Sequence, residues 1–91
     1  MPTVIVTAQC EDSTKWEEGF RTHGGLFRDM TVSNIQFTAT DDNEIAIRFD
    51  VDNLDTYFEI FGQPIMADSM KFDGVKRDTV KVFVLDKIFD L

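Results

Sequence analysis

Ninety-one residues make a single domain, residues 1–91, which buries only roughly 60–65% of its unfolded surface, so nine Phe, one Trp and one Tyr must carry much of the core. A net charge of −8 and a pI of about 4.3 repel phosphate backbones and offer no basic patch to anionic lipid, so neither nucleic acid nor a membrane is an expected partner. The one cysteine, Cys10, rules out an internal disulfide framework.

The start, MPTVIVTAQ, goes straight into strand-like sequence, with no basic leader region or cleavage site, and the cytoplasm is the expected compartment. No apolar run approaches the roughly 18 residues of a membrane helix. Thr3 to Gln9 alternates Val4, Val6 and Ala8 with Thr3, Ile5, Thr7 and Gln9, and is read as the first strand. Thr14 and Glu17 have capping-box spacing, with Asp12 and Ser13 as other candidate caps. Lys15 to Met30 then reads as a helix. Its stripe is Trp16, Phe20, His23, Phe27 and Met30, spaced by four, three, four and three residues. Gly19, Gly24 and Gly25 weaken it by about 1 kcal/mol each relative to Ala. Either the helix ends at Gly24 and resumes as a looser turn, or the glycines allow close approach to the sheet or a ligand.

Thr31 to Thr40 is the second strand, with Ile35, Phe37 and Ala39 on one face. Asp41, Asp42 and Asn43 turn the chain into a third strand, Glu44 to Val51, with Ile45, Ile47, Phe49 and Val51 on one face. Asn53 caps a second helix whose stripe is Leu54, Tyr57, Phe58 and Phe61, and Gly62 and Pro64 stop it. Ile65 to Phe72 forms a short further helix with Met66 and Met70 inward. Asp73-Gly74 is a turn, and Thr79 to Leu85 is the last strand. The tail, Asp86 to Leu91, carries Ile88, Phe89 and Leu91 and is expected to pack on something, a second subunit among the choices.

Strand, helix, strand, strand, helix, strand, with right-handed crossovers, gives an α+β ferredoxin-like βαββαβ sandwich: a four-stranded antiparallel sheet with helices on one face. The other face mixes Ile5, Thr7, Gln36, Arg48, Lys81, Phe83 and Leu85, a composition suited to sheet-on-sheet packing between two subunits.

Three stretches, VIVTAQCEDSTKWEEGFRTHGGLFRD, DDNEIAIRFDVDNLDTYFEIF and TVKVFVLDKI, resemble the dimeric α/β-barrel superfamily. The resemblance is to its antibiotic-biosynthesis-monooxygenase-like and stress-responsive branches, and it covers nearly the whole chain. It implies a homodimeric barrel with the two sheets face to face. Such proteins include cofactor-independent oxygenases of aromatic polyketides, haem-degrading enzymes, isomerases and decarboxylases. The Asn and Trp arrangement of the haem degraders is not matched here, and no cofactor is expected.

His23, the only histidine, is the candidate acid or base; the other reading is a core histidine satisfied by backbone. Its neighbours one turn away carry no polar side chain, so any partner must come from elsewhere in the fold. Trp16, Phe20, Phe27 and Tyr57 are the candidate substrate-binding wall, or else ordinary core. Arg48 is read as an ion-pair residue before an acid-binding one. The run Asp50, Asp52, Asp55 departs from a calcium loop, with Asp55 where glycine belongs and Phe61 where the last ligand belongs. One His and one Cys make no zinc cluster. The leading expectation is a small homodimeric barrel that binds a hydrophobic or aromatic small molecule, as a cofactor-independent monooxygenase or isomerase. The alternative is a non-catalytic ligand-binding or structural dimer.

Overall fold

A computed structural model describes all 91 residues. Its elements are β1 (Thr3–Cys10), α1 (Ser13–Phe20), α2 (Gly24–Asp29), β2 (Val32–Ala39), β3 (Glu44–Val51), α3 (Leu54–Phe61), α4 (Pro64–Phe72) and β4 (Val75–Val84). The strands form one sheet in the order β2-β3-β1-β4, with every neighbouring pair antiparallel. This is the expected ferredoxin-like arrangement, with each crossover divided into two helices.

Alternation along the strands decides which face is covered. Val4, Val6 and Ala8 stand opposite Phe49, Ile47 and Ile45 across the β1–β3 ladder, and all six are buried. Successive strand residues point to opposite faces, so in-phase apolar sets on paired strands build one continuous apolar surface. The helices add Trp16, Phe20, Met30, Tyr57 and Met66 to the same core. Each fully buried large side chain, such as Met30 or Ile45, contributes about 1.5–3 kcal/mol.

The caps explain where the helices begin. Asp12 Oδ1 accepts from the backbone N–H groups of Thr14 (2.9 Å) and Lys15 (3.2 Å), so Asp12, rather than the Thr14–Glu17 box, starts α1. Asn53 Oδ1 accepts from the Thr56 N–H at 3.1 Å and starts α3 as expected. Pro64, which has no N–H to lose, opens α4.

Four expectations are corrected. Of the two readings of Lys15–Met30 the break is the one seen, but it falls at Arg21–His23, where the His23 N–H bonds Phe20 O in an i to i−3 turn, and what resumes at Gly24 is the helix α2 rather than a looser turn. Phe58 is not part of the inward stripe of α3. It is half-exposed, and Ile60 packs on the core instead. The last strand begins at Val75 rather than Thr79 and ends at Val84. Its pairing with β1 shifts between Thr7 and Gln9, where the Gln9 N–H donates to Thr79 Oγ1 at 2.8 Å. That irregularity interrupts the alternation that reveals a strand in sequence. Within β2, Ala39 is exposed while Ile35 and Phe37 pack on the core.

No helix is long and apolar enough to cross a membrane. The opposite sheet face leaves Phe83 and Leu85 half-exposed, and within the single chain Ile88, Phe89 and Leu91 pack on nothing.

Candidate functional site

Between the helices and the sheet lies a cavity of about 90 Å³. Apart from His23, Ser69 and Asp73, its lining is entirely hydrophobic. His23, Trp16, Phe20, Phe27 and Tyr57 all line it, so the fold gathers every candidate site residue at one place.

Two aromatic groups are packed around it. On the first crossover, Phe20 lies 4.8 Å from Trp16, 4.9 Å from Phe27 and 5.1 Å from Phe37, centroid to centroid. On the second, Tyr57 lies 5.5 Å from Phe49 and 5.7 Å from Phe61. Tilted rings at these separations add about 0.5–1.5 kcal/mol per pair beyond simple burial. Burial pushes the Tyr57 hydroxyl far above its ordinary range, so it stays a neutral phenol.

His23 enters this wall because of the helix break. The Thr22 hydroxyl donates to Gly19 O at 2.6 Å and closes α1, and Gly24 and Gly25 are poor helix formers. His23 sits between the two helices, flanking α2 without capping it, since its side chain makes no bond to the α2 backbone. Its ring is edge-on to Phe27 at 6.4 Å, and its side chain is 20% exposed.

The partner of His23 is Asp73, which sequence reading placed only in a turn. Asp73 Oδ2 lies 3.0 Å from His23 Nε2, fifty residues away in the chain. Asp73 is the one buried charged residue, 8% exposed, at the C-terminal end of α4. Gly74, with φ +76°, turns the backbone there into a conformation that glycine adopts readily. Burial raises the Asp73 carboxyl above the usual range, and the neighbouring His23 draws it part of the way back.

Gly19 makes this geometry possible. A Cβ at that position would collide with Asp73 Oδ1 and lie 2.8 Å from its Cγ. The glycine thus brings α1 close to Asp73, not to the sheet. No donor of the chain reaches Oδ1. When the neutral ring carries its proton on Nε2, that N–H donates to Asp73 Oδ2 and Nδ1 keeps a lone pair. Such a pair can accept a proton at the histidine, with the carboxylate holding the ring and stabilising the imidazolium. Nothing near Asp73 in sequence signals this role; the one available hint was that His23 has no polar neighbour on its own helix.

The other flagged residues lie apart. Arg48 is on the opposite sheet face, where its Nη1 donates to Gln36 Oε1 at 3.3 Å. Asp50 accepts from Thr3 Oγ1 (3.1 Å) and Asn34 Nδ2 (2.9 Å), which lower its carboxyl below the ordinary range. Cys10 is buried, its thiol donates to Asn43 O at 3.2 Å, and burial pushes it up, away from the reactive thiolate. Met66 and Met70 both line the cavity, as adaptable side chains packed on the core.

No protein-family model matches the chain, and no curated protein matches it in sequence. Solved structures do match it. One is a protein from Bordetella bronchiseptica provisionally described as an antibiotic biosynthesis monooxygenase, with TM-score 0.74 and 11% identity over 97% of both chains. Another is SnoaB, a cofactor-independent oxygenase from Streptomyces nogalater, with TM-score 0.70 and 14% identity over 99% of this chain and 95% of that one. A third, from Nitrosomonas europaea and again provisionally described as an antibiotic biosynthesis monooxygenase, has TM-score 0.64 and 14% identity over 98% of this chain and all of that one. The fold is therefore the ferredoxin-like one of antibiotic-biosynthesis-monooxygenase-like structures. At these identities the likeness is one of fold.

Proposed function

We propose that the chain binds a hydrophobic or aromatic small molecule between its helices and its sheet, and that His23 moves a proton to or from it. The observation that carries this reading is the 3.0 Å His23–Asp73 pair at the polar end of an otherwise apolar cavity. Trp16, Phe20, Phe27 and Tyr57 shape the space. Removing a proton from an acidic C–H or O–H raises the electron density of an aromatic ligand, the first step either of an isomerisation or of an oxygenation without cofactor. In the oxygenation, a CH2 group converted to C=O supplies the four electrons that take O2 to the new carbonyl oxygen and one water. No external reductant enters. The fold shared with SnoaB, described as a cofactor-independent oxygenase, supports this class.

The partner in this reading is a second copy of the chain, joined through the outer sheet face. Phe83 and Leu85 on that face, with Ile88, Phe89 and Leu91 beyond it, supply the apolar surface. Light scattering at micromolar concentration is expected to give a dimer; a monomer would refute this part.

Turnover of a panel of aromatic substrates under air tests the activity. Wild type should convert at least one, and His23→Ala should lose the conversion while keeping its fold. The competing reading is a non-catalytic ligand-binding or structural dimer, favoured by the small volume of the cavity. A His23→Ala variant that is merely less stable, with ligand binding unchanged, would decide for it.

A further inference from the structure

The polar atoms of the cavity define what it can hold, and this inference rests on the binding reading above. His23, Asp73 and Ser69 are the only lining residues outside the hydrophobic set. Each presents an acceptor. Asp73 is a carboxylate. In the tautomer that donates Nε2–H to Asp73 Oδ2, 3.0 Å away, the neutral His23 ring keeps a lone pair on Nδ1. Ser69 donates its hydroxyl to Ile65 O at 2.8 Å, which leaves only its oxygen lone pairs. No Lys or Arg lines the cavity. The two further groups able to donate, the Trp16 indole N–H and the Tyr57 hydroxyl, carry no charge.

An anionic ligand would therefore lose its hydration, find no Lys or Arg, and meet the negative charge of Asp73. A ligand without any donor would leave the acceptors desolvated and unpaired. Size sets a further limit. A cavity of about 90 Å³ is smaller than the roughly 150 Å³ hole that takes up benzene and far below the roughly 300–1,000 Å³ of sites for drug-sized molecules. The least packed wall is α2, which has no fully buried residue and leaves open space where a Cβ would stand at Gly24 and Gly25.

We infer that the cavity selects an uncharged ligand of about one ring that carries an O–H or N–H donor, and that it rejects carboxylates of the same shape. Phenol, toluene, benzoate and 1-naphthol are the probes. Emission from Trp16, the only tryptophan and a wall of the cavity, is the readout. Phenol should bind at least about tenfold more tightly than toluene and about a hundredfold more tightly than benzoate. Naphthol should bind no more tightly than phenol despite its larger apolar surface. Asp73→Asn, with its fold checked by circular dichroism, should narrow the phenol-to-benzoate ratio several-fold.

Equal binding of phenol, toluene and benzoate would overturn the selectivity and leave the binding reading standing. Naphthol binding tenfold more tightly than phenol would overturn the size limit. An unchanged phenol-to-benzoate ratio in Asp73→Asn would remove Asp73 as the source of anion exclusion. If none of the four changes Trp16 emission up to its solubility, the binding reading fails together with this one.

Discussion

The two crossovers are built alike and used differently. Each is a pair of short helices, α1 with α2 and α3 with α4, laid over the same sheet face. Each is interrupted at a glycine-rich or proline-marked joint. The second joint, at Gly62 and Gln63, is closed by backbone bonds to Phe58 O and Ile60 O, and both of its residues are exposed. The first joint, from Arg21 to His23, sends an imidazole toward the core. What permits this is the end of the other crossover, because Asp73 closes α4 beside it. A polar group at a helix break is tolerable inside a small core only when a counter-group arrives from elsewhere, since an unpaired buried polar group costs about 1–3 kcal/mol.

The largest effects should be symmetrical between the crossovers. Trp16→Ala and Tyr57→Ala each remove a ring that is 2% exposed and should each cost about 3–5 kcal/mol in urea denaturation. That is a large part of the roughly 5–15 kcal/mol available to a small domain. A loss below about 1 kcal/mol at either site would break the symmetry.

Next comes a contrast within the first crossover. Gly19→Ala forces Asp73 off His23 and should cost about 1–3 kcal/mol, although alanine is the better helix former. Gly24→Ala meets no atom within 4 Å and should gain about 0.4–1 kcal/mol. Thermal melts of the two variants should move in opposite directions.

The polar pair also has a pH signature. The folded carboxyl of Asp73 is raised above its unfolded value near 3.8, so the native state holds this proton more tightly than the unfolded chain does. Its contribution to stability is therefore full below the unfolded value and declines as pH rises through the folded one. Asp73→Asn removes that decline. Urea midpoints taken from pH 4 upward should show the variant improving relative to wild type until the carboxyl is fully ionised. Parallel curves would mean that the carboxyl titrates as it does in the unfolded chain.

The smallest effect is expected at Tyr57→Phe. Its hydroxyl is shifted by burial alone and bonds nothing in the chain, so its removal should raise stability slightly, by up to about 1 kcal/mol.

Much of this architecture is written in local sequence. Alternation with period two marked the strand faces of β1 and β3, because each strand pairs in phase with its neighbour over one covered face. Spacing at helical period marked Trp16, Phe20, Phe27 and Tyr57, and all of them reach the cavity. The start of β4 was hidden because Val75 to Lys76 is separated from the rest of its ladder by an irregularity that destroys alternation. Phe58 was placed inward because it fits the stripe of Leu54, Tyr57 and Phe61, yet it is half-exposed while Ile60 packs on the core.

By itself, then, the chain determined its element order, its covered face and the aromatic wall, all of which follow from periodicities that a dozen residues suffice to display. The tertiary structure alone decided the chemistry of that wall. It turned His23 at the helix break toward the core, used Gly19 to make room, and brought Asp73 from fifty residues away to within 3.0 Å. Asp-Gly in sequence is a turn whatever its surroundings; whether its carboxylate meets water or an imidazole depends on how two crossovers pack, and no local pattern encodes that.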